Sequence, residues 1–165
     1  MNKEEFKILF DLYFEDIRRY LYYRCGDTTV STDLAQDTFM RIWEKQMDVQ
    51  PDRDTGLIYK IAGDLFVSHM RREKLRRESP ELIHFEQRDS SPEDELQYQE
   101  LQEKYEKALV KLSEAQRIAF LMSRTEELSY QEIASRLSIG IKAVEKRITG
   151  ALSRLRKELR PDEPG

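Results

Sequence analysis

Apolar residues return at helical intervals from the start of this chain. Phe6, Leu9, Phe10, Tyr13, Phe14, Ile17 and Leu21 share one side of a 3.6-residue period, which predicts an amphipathic helix that stops near Gly26. In the next stretch, DLAQDTFMRIWEKQ, Leu34, Ala35, Thr38, Phe39 and Ile42 point one way. Asp33, Gln36, Asp37, Met40, Arg41 and Glu44 form a polar stripe on the other face. Ser31 to Asp33 offer N-caps for this second helix, which runs toward the break at Pro51. A third helix, GLIYKIAGDLFVSHMRREKLRR, starts after Gly56 and ends before Pro80. These three predict one compact helical unit.

The pattern then lapses. ESPELIHFEQRDSSPEDE carries two prolines, three serines and few core residues, and reads as a linker. From Glu81 to Glu103 eight acids stand against Arg88 alone, a net charge of −7. Ser91-Pro92 then looks like an N-cap followed by proline at the first helical position. Four helices are expected beyond it, near residues 92–111, 114–124, 130–137 and 141–159. Two capping boxes punctuate them: Ser113 stands three before Gln116, and Ser129 three before Glu132. Nothing alternates with period two, so strands are not expected. The fold class is therefore all-α. Two small helical domains, 1–78 and 96–160, are joined by an acidic linker, 79–95, and the second is a four-helix domain.

Within that second domain, LSYQEIASRLSIGIKAVEKRI has the pattern of a helix-turn-helix. Ile133 and Leu137 lie one turn apart on its first helix; Val144 and Ile148 do the same on its second. Ala134 is small enough for the two helices to cross closely, and Ile139 plugs the turn. With Val144, Ile148 and Leu152 buried, the opposite face shows Lys142, Glu145, Lys146 and Thr149. Glutamate can accept from cytosine N4, lysine can donate to guanine, and threonine can touch a base edge or a thymine methyl. Arg147, Arg154 and Arg156 lie nearer the flanks, where phosphate contact is expected. Ser138 holds the turn position that usually carries glycine, and Gly140 the cap position that usually carries serine or threonine. Gly140 supplies no capping oxygen, so the second helix should start softly.

Charge sharpens the picture. The chain of 165 residues has a formal net charge of −4, which DNA repels at long range. Between Ile141 and Arg160, however, seven bases stand against two acids, a local +5, and residues 71–77 carry a local +4. The basic patches are small and confined to the two helices. Glu4 and Glu5 stand where a secretory signal needs cations, and no apolar run is long enough to cross a bilayer. Cys25 is alone and forms no internal disulfide, which suits a cytoplasmic location. His69 and His84 are the only histidines, and neither pairs with Cys25 at a nucleophile or metal spacing. No glycine-rich phosphate loop occurs. No catalytic residue, metal or cofactor is expected.

DLAQDTFMRIW followed by IYKIAGDLFVSHMRR closely resembles the first conserved domain of bacterial extracytoplasmic-function sigma factors. ALVKLSEAQRIAFLMSRTEELSYQEIASRLSIGIKAVEKRITGALSRLRKEL resembles the second, so the likeness runs from about Phe6 to Leu159. It implies an alternative sigma factor that binds core RNA polymerase and directs initiation through the −10 and −35 promoter elements. The polymerase β′ clamp helices would dock on Asp33, Gln36, Asp37, Met40 and Arg41, and the β flap would be a second contact. The third helix would melt and read the −10 element with Tyr59, Lys60, Asp64, Ser68, His69, Arg71 and Arg72, with packing as the alternative role of Tyr59 and His69. Relatives commonly carry asparagine at the Asp64 position, and a carboxylate cannot donate as an amide does. The −35 element would fall to Lys142, Glu145, Lys146, Arg147, Thr149 and Arg154. The loop MDVQPDRDTG corresponds to the family's base-capturing loop, and the acidic linker would thread the polymerase or serve as a solvated tether. An anti-sigma factor is a further implied partner. A stand-alone activator with a LuxR-type helix-turn-helix is the main rival, and a protein-binding decoy that has lost DNA reading is a third. The N-terminal DLAQDTF and the basic helix ending in HMRR discriminate against the activator.

Overall fold

The first helix, α1 (Lys3–Cys25), begins and ends on local partners. Asn2 accepts from the Glu5 amide at 2.8 Å while the Glu5 carboxylate accepts from the Asn2 amide at 3.0 Å, closing a capping box. At the other end Gly26 turns left-handed at φ 71° and donates to the Tyr22 carbonyl at 2.7 Å. Asp27 caps the next helix at once, accepting from the Val30 amide at 3.0 Å. The chain therefore reverses in two residues, and α2 (Thr28–Glu44) begins ahead of the expected caps at Ser31 to Asp33. Ser31 is instead fully buried inside the helix, where its hydroxyl donates to the Asp27 carbonyl at 2.6 Å.

The structure, a computed structural model, describes residues 1–76, Phe85 and 96–160. Among these, seven helices occur and no strand: after α1 and α2 come α3 (Thr55–Arg76), α4 (Leu96–Lys111), α5 (Glu114–Glu126), α6 (Tyr130–Leu137) and α7 (Ile141–Leu159). The Ser91-Pro92 cap, His84, Arg77 and most of the expected linker lie outside the described residues.

In the N-terminal domain α1 and α2 pair in opposite directions. Phe6 meets Trp43 at 5.1 Å between ring centroids, and Phe10 meets Phe39 edge-on at 5.3 Å. Leu34, Ala35, Thr38, Phe39 and Ile42 are all buried, as their spacing predicts. Thr38 is made compatible with that core by donating its hydroxyl to the Leu34 carbonyl at 2.8 Å. Ile58, Ile61, Ala62 and Phe66 of α3 complete the packing against α1 and α2.

In the C-terminal domain both predicted capping boxes form, Ser113 with Gln116 and Ser129 with Glu132. Ile133, Ala134, Val144 and Ile148 are buried between α6 and α7. One core position differs from expectation. Leu152 is 39% exposed, and Ala151 and Leu155 fill the interior in its place. From Ile148 the buried face advances to Ala151 and Leu155, a three-then-four step that keeps α7 against α5; Leu152 falls off that line.

The two domains are in contact: α5 lies on α1 and α6 lies on α3. Between α6 and α7, Ser138 stands left-handed at φ 56°, and Gly140 caps α7 with extended backbone and no side-chain hydrogen bond. A Cβ added at Gly140 meets nothing within 4 Å. Gly140→Ser should therefore stabilise the domain by about 0.3 kcal/mol. Thermal denaturation should show the gain, and amide exchange over residues 141–144 should slow; faster exchange or a lower midpoint would contradict the cap geometry.

Candidate functional site

Three helix faces remain outside the cores. On α2, Asp33, Gln36, Asp37, Met40, Arg41 and Glu44 are exposed, and Met40 keeps 56% of its surface. Burial of the opposite side of the same helix sets this stripe in place. Asp33, Asp37 and Arg41 enter no ion pair among the described residues. Their charges are thus available, with an adaptable methionine between them.

On α3 the predicted residues divide. Lys60, Asp64, Ser68, Arg71 and Arg72 are exposed, and His69 is half-buried. Lys60, Asp64, Ser68 and Arg71 follow one another along a single face. Leu57 and Val67, which the sequence reading passed over, are exposed beside them and give the face apolar area. Their signal was present in the spacing, since Val67 stands seven residues after Lys60 and three after Asp64.

Tyr59 is a correction. It keeps only 2% of its surface and sits in the core rather than on the reading face. Its ring meets Tyr20 edge-on at 5.1 Å, and its hydroxyl accepts from Arg136 at 2.9 Å. Burial pushes the phenol well above its usual pKa, with the Arg136 charge pulling the other way. The reason lies in its neighbours: Ile58, Tyr59, Ile61 and Ala62 are the inward side of α3, so a side chain at 59 cannot also reach a base.

On α7, Lys142, Glu145, Lys146 and Thr149 are exposed on the face opposite Val144 and Ile148, and Arg147 is half-buried at its edge. Arg154 is exposed, but its Nε donates to Glu158 at 3.4 Å. Lys111 donates to the same carboxylate at 2.9 Å, which is the main cause of the lowered Glu158 pKa. Behind α7 a groove of about 660 Å³ is lined by Tyr105, Phe120, Leu152, Leu155 and Leu159, with Arg124 and Arg156 among its charged lining.

A polar seam that sequence reasoning missed joins the two domains. Arg117 of α5, 2% exposed, donates through Nε to the Tyr23 carbonyl at 2.7 Å and through an Nη to the Arg24 carbonyl at 3.2 Å. Arg136 of α6 reaches Asp16 of α1 at 3.1 Å as well as Tyr59. Glu126 of α5 accepts from Arg19 and from the Tyr23 hydroxyl, both at 3.2 Å, and burial raises its pKa against the pull of Arg19. Arg24 pairs with Glu114 at 2.5 Å. Each charged residue of the seam is an ordinary helix position in sequence, and only the approach of a second domain distinguishes it.

Comparison with known proteins agrees with this arrangement. The model of Sigma-70 region 2 matches residues 9–76, and that of Sigma-70, region 4 matches residues 102–155. The extracytoplasmic-function (ECF) RNA polymerase sigma factor SigE of Mycolicibacterium smegmatis is 30% identical over 146 residues, covering 87% of this chain and 57% of that relative. ECF RNA polymerase sigma factor SigW of Bacillus subtilis is 28% identical over 171 residues, covering 96% of this chain and 91% of the relative. Among solved structures, the sigma factor RpoE in complex with the anti-sigma factor NepR from Bartonella quintana has a similar fold, with a TM-score of 0.65 and 23% identity. That likeness covers 97% of this chain and 99% of the other. CnrH in complex with the cytosolic domain of CnrY follows at a TM-score of 0.62 and 23% identity, covering 96% and 89%. With both sigma regions present in order on an all-helical frame, the chain belongs to the ECF family of RNA polymerase sigma factors.

Proposed function

We propose that this chain acts as an alternative sigma factor, binding core RNA polymerase and directing initiation at promoters with distinct −10 and −35 elements. The observation that supports this most is the set of exposed faces on α2, α3 and α7, each opposite a buried face and each of suitable chemistry. Region 2, matched over residues 9–76, disfavours a stand-alone LuxR-type regulator.

In this reading Asp33, Gln36, Asp37, Met40 and Arg41 dock on the β′ clamp helices. Their charges fix register, and Met40 supplies apolar area. Lys60, Asp64, Ser68 and His69 read unstacked bases of the −10 element, with Leu57 and Val67 as apolar platforms and Arg71 and Arg72 on phosphates. Lys142, Glu145, Lys146 and Thr149 face the −35 element in the major groove, with Arg147 and Arg154 on its backbone. The groove beside Leu152 offers an apolar seat, with arginines in its lining, for the polymerase β flap. Domain limits of 1–78 and 96–160 with a tether between them fit this division. An anti-sigma factor is a fitting regulator, since the RpoE structure named above holds one. No described helix is long and apolar enough to cross a membrane. The polymerase contributes the catalysis, and the location follows the polymerase into the cytoplasm.

Transcription with core enzyme and sequencing of the RNA starts tests the reading as a whole; no defined starts would overturn it. Asp37→Lys with Arg41→Glu should abolish core binding while leaving the thermal midpoint within about 2 °C, because both side chains are exposed. Unchanged binding would remove the docking face. Tyr59→Ala should act on folding, costing about 3 kcal/mol in denaturant titration, whereas Lys60→Ala should weaken promoter opening with no loss of stability. The reverse pattern would return Tyr59 to the reading face.

A further inference from the structure

Between α2 and α3 the chain takes a more strained path than a plain connection requires. The Arg53 amide donates to the Pro51 carbonyl at 2.7 Å, with Asp52 between them at φ 67°. This is a γ-turn of the positive-φ kind, rare and strained for a residue that carries a Cβ. Glycine would adopt it freely, yet aspartate stands there. Strain of this sort persists only where the surroundings over-determine it. Here they do. The Val49 side chain is buried, and the Met47 amide donates to the Ile42 carbonyl at 3.1 Å. The Asp54 amide donates to the Gln50 carbonyl at 3.0 Å, while the Asp54 carboxylate accepts from the Gln50 amide at 2.8 Å.

The strained residue itself is held from α1. Tyr13 is buried, and its hydroxyl accepts from the Asp52 amide at 2.9 Å and donates to the Asp52 carboxylate at 3.2 Å. One hydroxyl thus grips both the donor and the acceptor of a single residue. On the solvent side the same segment displays Gln50 and Arg53, both exposed. Asp48 stands between them: its Oδ1 accepts from Gln50 Nε2 at 2.7 Å, and its Oδ2 lies 3.9 Å from Arg53 Nη2. Asp54 accepts from Arg53 Nε at 3.1 Å and from Nη2 at 2.8 Å. Both head groups are oriented without being used up. The carboxamide keeps its oxygen and a second N–H, and the guanidinium keeps further donors. The segment then runs directly into α3, whose exposed face begins at Leu57 and Lys60.

We propose that Tyr13 is a positioning residue for promoter reading: by holding the Asp52 turn it sets the pose of Gln50 and Arg53 beside the exposed face of α3. The proposal rests on that face reading the −10 element. Gln50 then meets the edge of an unpaired base, and Arg53 meets a neighbouring phosphate. Tyr13 itself touches no DNA, because its ring lies in the core.

Tyr13→Phe tests this, since it removes the hydroxyl and leaves the ring. With core enzyme and a promoter library randomised over both elements, sequencing of the transcripts gives the base preference at each position. A recognised base is favoured about tenfold or more over a mismatch. Tyr13→Phe should flatten the preference at one −10 position by at least about fivefold, with the −35 preferences intact. Gln50→Ala should flatten that same position. Unchanged preferences, an equal loss over both elements, or flattening by Gln50→Ala elsewhere overturns the proposal. Asp52→Pro can neither reach positive φ nor donate an amide, so it should reproduce the Tyr13→Phe effect. Joining the two changes should add less than about twofold, and independent losses overturn the proposal. Amide exchange needs no promoter: the Asp52 amide should exchange at least about tenfold faster in Tyr13→Phe, at unchanged helicity. Unchanged exchange overturns the positioning role. If the unaltered chain directs no defined starts, the promoter reading fails instead, and exchange still decides whether Tyr13 sets the turn.

Discussion

The guanidinium of Arg117 is the interaction on which the domain arrangement rests. A helix end leaves its last carbonyls without intrahelical partners, and α1 ends in the middle of the molecule. Gly26 satisfies one of those carbonyls; Arg117, from the other domain, satisfies two more. The charge is buried against carbonyl dipoles rather than a carboxylate, and the negative end of the α1 dipole offsets its desolvation. Burial pushes its pKa down, but an arginine keeps its proton at neutral pH. Neither partner is comfortable alone in an apolar setting, and both are comfortable in water. That combination makes the interface directional and also separable.

The rest of the seam has the same character. Arg24 lies 4.4 Å over the Phe66 ring and pairs with Glu114, yet its Nε finds no partner. Arg19 and Arg136 share Asp16. Polar contacts of this kind specify one relative placement of the two halves, whose buried apolar residues form one continuous core.

Much of the fold was legible because it is local. Ser113 with Gln116 and Ser129 with Glu132 announce helix starts through their own side chains, and the alternation of Leu34, Phe39 and Ile42 with Asp33, Asp37 and Arg41 settles both faces of α2 at once. Helix α7 followed in the same way, apart from Leu152, whose place in the core passes to Leu155 one turn later because α7 is held by α5 as well as α6. Ser31 misled through chemistry that is ambiguous in sequence: a serine hydroxyl caps a helix or back-bonds inside one equally well, and only Gly26 and Asp27 decide which. Tyr59 misled for a related reason. An aromatic side chain suits stacking on a base, but its neighbours Ile58 and Ala62 placed it on the inner side. The seam was not legible at all, since Arg117, Arg136 and Glu126 acquire meaning only from residues about a hundred positions away.

One anchor has a thermodynamic consequence of its own. The Tyr13 hydroxyl accepts from the Asp52 amide at 2.9 Å, contacts the Asp52 carboxylate at 3.2 Å and lies 3.4 Å from the Thr55 hydroxyl. A single phenol on α1 thus fastens the segment between α2 and α3, in which Gln46 and Asp52 adopt left-handed backbone. Ordering a residue's backbone costs about 1–2 kcal/mol of conformational entropy. Here that cost is met when the domain folds, so the segment is shaped by the α1 contact itself rather than by anything outside the domain.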